Sequence, residues 1–200
     1  MDQTRSTHGF TLVEMLVSLA LFTIVATMAV GTLLVLISGN SRVVGEQTSL
    51  TSLSFALDSM TREIRTGSEY FCDTATQVAS AAVYNSVTAV QNCINGNTGF
   101  SFREAGESIT GGSGAKRIAY YFSNNTLWRK VGSSAAEPIV TNDVRIINAR
   151  FVVTGASPLG TSTEIVQPTV SILLEAQSST SDSGKTFTLQ STVTQRSLDL

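Results

Sequence analysis

Between Phe10 and Ile37 lie twenty-eight residues with a single charge, Glu14, with no Pro, and with no Gly before Gly31. A helix of that length rises about 42 Å at 1.5 Å per residue, more than the roughly 30 Å of a hydrocarbon core. The segment is long and apolar enough to span a membrane. Its anomaly is the position of the charge, close behind the first apolar residue. A carboxylate inside a bilayer costs about 2.5 to 3.5 kcal/mol on insertion scales, so Glu14 is a functional-site candidate that needs a partner.

The stretch Gly9-Phe10-Thr11-Leu12-Val13-Glu14 resembles the prepilin peptidase recognition motif of type IV pilins and of the pseudopilins of type II secretion. Gly, Phe, the apolar run and the offset Glu all fall at that family's spacing. The resemblance implies cleavage after Gly9, N-methylation of the new Phe10 amine, and burial of the first helix in a fibre core. It also implies that Glu14 neutralises the Phe10 amine of a neighbouring subunit. Two plainer readings of the same residues stand beside it. An ordinary secretory signal has a positive n-region and an apolar stretch of about 7 to 15 residues, whereas here Arg5 is offset by Asp2 and the run is much longer. A plain signal anchor with an incidental Glu is the other.

The chain of 200 residues, less a leader and a membrane segment, leaves about 160 for one modest domain with its own core. A formal net charge of −2 with 14 % charged residues offers no basic patch for nucleic acid. Abundant Ser, Thr, Gly and Asn suit an exported β-rich domain. Cys72 and Cys93 both follow the membrane segment, where export would place them in an oxidising compartment. They read as a disulfide, with two buried thiols as the competing reading. A metal pair is disfavoured because the sole His is His8, in the leader.

In chain order, residues 1–9 are a leader peptide, 10–37 a transmembrane and assembly helix, 38–67 its amphipathic continuation, and 68–200 a globular β-rich head. Gly31 costs up to about 1 kcal/mol in a helix interior. It stands near the depth where many members of the resembled family carry a helix-breaking Pro, which marks it for local stretching or melting during assembly, or else for close helix packing. Leu50, Leu53, Leu57, Met60 and Ile64 recur at spacings of three and four and define a stripe that a sheet must cover. Asp58, Arg62, Glu63 and Arg65 fall largely off it, and Gly67 is placed to end the helix.

From Ser68 to Gly114 the pattern is weak: irregular, with short strands, among them Phe100–Arg103, weak alternation over 83–90 and a Gly-rich loop. Arg117–Phe122 and Leu127–Val131 flank an Asn124-Asn125 turn and form a hairpin. Three further strands follow, with Ile147, Ala149, Phe151 and Val153 on one face of the first, Val170, Ile172 and Leu174 on one face of the second, and Phe187, Leu189 and Val193 on one face of the third. The short 178–185 connection makes the sheet antiparallel. The fold class is therefore α+β, a long N-terminal helix, membrane-spanning and then amphipathic, packed on a C-terminal antiparallel β-sheet domain. That layout, with 52–67 in the stem and a last strand running through Thr192–Leu198, resembles the J-type minor pseudopilins and related minor pilins.

Enzyme signatures fail. Ser183-Gly184-Lys185-Thr186 imitates the end of a phosphate-binding loop, but Ser179 stands where that loop needs Gly, and the residues after Thr186 are strand-like. After cleavage at Gly9 no His would remain to act as a base. Asp143, Glu164 and Asp182 lack calcium-ligand spacing. No cofactor is expected. The expected partners are other pilin or pseudopilin subunits, the prepilin peptidase/methyltransferase, the inner-membrane assembly machinery and the membrane itself, with no nucleic acid. The resemblance implies a single-pass inner-membrane protein with its C-terminal domain outside the cytoplasm, later part of a pilus or pseudopilus. The alternative is a membrane-anchored exported binding domain that stays monomeric.

Overall fold

A computed structural model describes residues 9–80, 90–105, 117–156, 167–178 and 186–196. The chain divides into two compact units, Met1–Val44 and Gly45–Leu200. One continuous helix, α1 (Leu12–Thr66), contributes to both. Its apolar half passes through Gly31 without a break. Several expectations lie outside the described residues: the leader up to His8, the alternation over 83–89, the Gly-rich loop at 106–114, Glu164, Asp182, the Ser183–Lys185 segment and the end of the last strand at Ser197–Leu198.

Within Gly45–Leu200 the apolar stripe of α1 is buried at Leu53, Ala56, Leu57, Met60 and Ile64. Leu50 departs from the expectation and is exposed. At about 100° per residue it stands some 70° from the centre of the stripe, and Ser49 takes the inward position instead. The Ser49 hydroxyl lies 3.1 Å from the Ser178 hydroxyl and donates to the Asp143 carbonyl at 3.2 Å. The helix stops one residue before Gly67, whose N–H bonds back to the Glu63 and Ile64 carbonyls. Gly67 is not in the left-handed region. Its need for Gly is steric, because a Cβ there would lie 2.2 Å from the Phe102 ring.

Two antiparallel sheets come next, where the strand pattern suggested one. The first has the order β1-β3-β4-β5-β6, from β1 (Ser68–Asp73), β3 (Gly99–Arg103), β4 (Arg117–Ser123), β5 (Thr126–Val131) and β6 (Glu137–Pro138). The second has the order β2-β7-β8-β9, from β2 (Cys93–Asn97), β7 (Val144–Thr154), β8 (Thr169–Ser178) and β9 (Thr186–Thr194). A short helix, α2 (Ala75–Ala79), capped by Thr74, lies between β1 and β2. The Cys72–Cys93 disulfide joins β1 to β2 and so ties one sheet to the other.

The expected hairpin is β4–β5, with φ of 51° and 58° at Asn124 and Asn125, both positive as a two-residue primed turn requires. β7 corrects the expected alternation. A register shift between Ile146 and Asn148 inserts one residue, so Val144 and Ile146 point inward before it and Ala149, Phe151 and Val153 after it. Ile147 is thereby turned out to solvent.

One cluster unites the helix stripe with both sheets. Its centre is aromatic: Phe100 sits 5.6 Å from both Tyr70 and Phe102 and 6.0 Å from Phe151, ring centre to ring centre. A smaller cluster of Val78 and Ala119, flanked by Phe71 and Tyr121, packs α2 on the first sheet.

Candidate functional site

The site expected from the sequence is the start of α1. Gly9 and Phe10 precede the helix and are exposed. Thr11 caps it: its hydroxyl oxygen accepts from the Glu14 N–H at 3.3 Å, and its carbonyl accepts from the Met15 N–H at 3.2 Å. The sequence pattern Thr-x-x-Glu carries this signal, which the family motif alone does not bring out. Glu14 therefore lies in the first turn, where a carboxylate complements the positive end of the helix dipole.

The remaining hydroxyls of the segment 10–37 are absorbed by the helix itself. Ser18, Thr23, Thr27 and Thr32 donate to the carbonyls of Met15, Ala20, Ile24 and Ala29 at 2.8–3.0 Å. That is how a polar side chain becomes tolerable in hydrocarbon. No partner for the Glu14 carboxylate lies among the described residues, so it is the one side chain of the segment left with strong polar chemistry to offer outward.

Beyond Thr11 and Ser18 the surface around it is apolar. The most apolar window of the helix has a mean hydropathy of 2.5, and none of it is buried. Phe10, Leu12, Leu16, Phe22, Met28 and Leu36 are all more than half exposed. Gly31 is exposed, and apart from its own helix backbone no atom of the chain's described residues approaches the space a side chain there would take.

The sequence-predicted residues thus fall into separate places. Gly9, Phe10 and Glu14 come together at the start of α1. Leu53, Leu57, Met60 and Ile64 are core residues of the second unit, and Cys72 and Cys93 are its covalent bridge. Two polar groups in that unit escape sequence reasoning. Glu63 is half-buried: its carboxylate receives a bidentate pair from Arg129 at 2.9 and 3.1 Å and the Tyr120 hydroxyl proton at 2.5 Å. Burial, then the Glu63 hydrogen bond and charge, push the Tyr120 phenol well above its ordinary range. Burial acts to lower the Arg129 guanidinium, but the Glu63 and Tyr120 partners outweigh it and the net shift is upward.

The second group centres on Glu69, which has a φ of 51° at an irregularity in β1. Its carboxylate meets Arg103 at 2.7 Å and Arg117 at 3.8 Å. Arg117 also donates to the Glu69 carbonyl at 2.7 Å. Nothing in the residues next to Arg117 in sequence signals that it is almost fully buried. Asp143 contributes a backbone carbonyl to Ser49, and no cluster of three potential metal ligands occurs among the described residues.

Residues 4–30 match the family model described as the prokaryotic N-terminal methylation motif. No curated protein and no solved structure matches the chain. The match supports a precursor of the type IV pilin and pseudopilin type, a class of structural proteins. It implies a prepilin peptidase and other pilin subunits as partners, and the apolar helix fits membrane anchoring.

Proposed function

We propose that the chain is a structural minor pilin or pseudopilin subunit, nearest in layout to the J-type pseudopilins. It is cleaved after Gly9, methylated on the new Phe10 amine, and held in the inner membrane by residues 10–37 with residues 68–200 outside the cytoplasm. From there the assembly machinery draws it into a pilus or pseudopilus, where its first helix packs with those of other subunits. Gly31 is the point at which the helix gives during that packing.

The observation that carries this reading is the conjunction at the start of α1. A small residue and an exposed Phe precede a capped helix whose hydroxyls within residues 10–37 are all internally bonded, leaving Glu14 as the single charge of that segment. An amine created at Phe10 of a neighbour supplies the cation that this carboxylate lacks.

Mass spectrometry of the protein recovered from membranes of a cell with an active prepilin peptidase tests the reading. The expected mature N-terminus is Phe10, carrying a methylated amine. An intact Met1 terminus in that background supports the monomeric anchored domain instead.

A further inference from the structure

Natural sheets blunt their edges because an unpaired row of backbone N–H and C=O groups is a template for another strand. Three of the four sheet edges here follow that rule among the described residues. β6 is two residues long and ends in Pro138. β1 carries a register irregularity and a bridge from Phe71 to Gln91. β2 is irregular in register against β7 and contains Gly96 in the left-handed region.

β9 does not follow it. Its nine residues, Thr186-Phe187-Thr188-Leu189-Gln190-Ser191-Thr192-Val193-Thr194, pair with β8 in unbroken register and contain no Pro, no Gly and no charge. Its outer edge pairs with nothing among the described residues, and Phe187 and Leu189 are only partly buried there.

The order of these residues also says what fits the edge. Read outward from Gln190, the outer-face positions mirror each other, Thr188 answering Thr192 and Thr186 answering Thr194, while on the inner face Phe187 answers Val193 and Leu189 answers Ser191. An antiparallel pairing of two copies about Gln190 therefore sets Thr against Thr on the outer face and Phe187 against Val193 on the inner face, both favourable cross-strand pairs, with Leu189 against Ser191 next to the dyad as a pair that contributes little. With no charge on either strand, no like charges meet across the dyad. The contact is isologous, so it closes at two copies rather than propagating. The Arg196 N–H, bonded to the Arg65 carbonyl at 2.9 Å, marks where the free edge ends against α1.

We propose that β9 is a self-recognition edge, joining two copies of this chain into one continuous sheet with Gln190 on the two-fold axis. The seam is about 30 Å long and about 10 Å wide, so it buries on the order of 600 Å² over both copies, below the roughly 1,200 Å² of stable free-standing complexes. The pairing is accordingly reversible and has to be trapped. It uses a surface separate from the apolar helix and stands whether or not Gly9 is a cleavage site.

The test is register-specific crosslinking of the full chain in membranes, where Cys72 and Cys93 are already bonded to each other. Gln190→Cys should give a disulfide-linked dimer under mild oxidation, because residues opposed in antiparallel strands lie within disulfide reach. Ser171→Cys, one strand inward beside Thr192, should not. A mixture of Thr188→Cys and Thr192→Cys copies should crosslink, and in that background Gln190→Lys should lower the yield about three- to five-fold by opposing like charges. Mixing Gln190→Lys with Gln190→Glu copies should restore it. Gln190 is exposed, so unchanged melting of each variant excludes unfolding as the cause. Absence of the Gln190→Cys dimer, an equal yield from Ser171→Cys, crosslinks to a different protein only, or failure of the charge-reversed mixture to recover would each overturn the proposal.

Discussion

At the scale of single residues, charge decides most of what is particular to this chain. Glu14 sits where its backbone is satisfied by the Thr11 cap while its carboxylate has no partner from the helix. Glu14→Ala or Glu14→Val should leave insertion and cleavage intact, since the apolar helix survives, yet impair co-purification with partner pilins if the proposed Glu14–Phe10 pair sets the register. Unchanged co-purification would reject that pairing role. Tyr120 makes a different prediction. Its folded-state phenol is raised above the ordinary 10.0 by burial and by Glu63, so the folded chain keeps a proton that the unfolded chain loses above pH 10. The unfolded state then binds fewer protons, and stability falls as pH rises beyond that point. Tyr120→Phe should flatten this alkaline loss, seen as a smaller drop in melting temperature between pH 8 and pH 11 than in the parent. An equal drop would remove Tyr120 from the explanation. Thr11 is legible as a cap from the Thr-x-x-Glu pattern. Glu63, Glu69 and Arg117 are not, because their ion-pair partners are 34 to 66 residues away in sequence and periodicity carries no information about such pairs.

At the scale of elements, the disulfide has a more specific place than its position after the helix suggests. It links β1 and β2, members of different sheets, across a separation of 21 residues. Closing such a loop contributes about 3 kcal/mol in the chain-entropy model. Both cysteines should therefore resist alkylation in unreduced exported protein, and Cys72→Ala with Cys93→Ala should lower stability by about that amount in denaturant unfolding. Recovery of two alkylatable thiols would contradict the bridge. Long periodic elements are readable: the α1 stripe from Leu53 to Ile64, the β4–β5 hairpin with its Asn pair, and the alternation in β8 and β9. The failures have local causes. Leu50 loses its inward place to Ser49, whose hydroxyl finds Ser178, a partner invisible to a hydrophobic pattern. Ile147 is misplaced by the pattern because a single inserted residue reverses every later position in a strand. The two sheets read as one because β3 is buried along its whole length and β2 is irregular in register, so neither shows an alternation that would mark a separate sheet.

At the scale of the molecule, the sequence motif and the helix define the class, while the sheets define which surfaces remain for contact. The class the motif supports is legible because the N-terminal methylation motif and the apolar run are local in sequence. The edges of the sheets are not, because strand order is a property of the whole fold. The internally bonded hydroxyls of residues 10–37 then bear on how that segment meets its surroundings. Because those hydroxyls are turned back on their own backbone, the flank offers lipid or neighbouring helices no side-chain hydrogen bond, and none of them favours one angle of rotation over another. Under the proposed pairing, Glu14 is the one side chain of residues 10–37 that tells one orientation from another, a detent near one end of an otherwise featureless shaft.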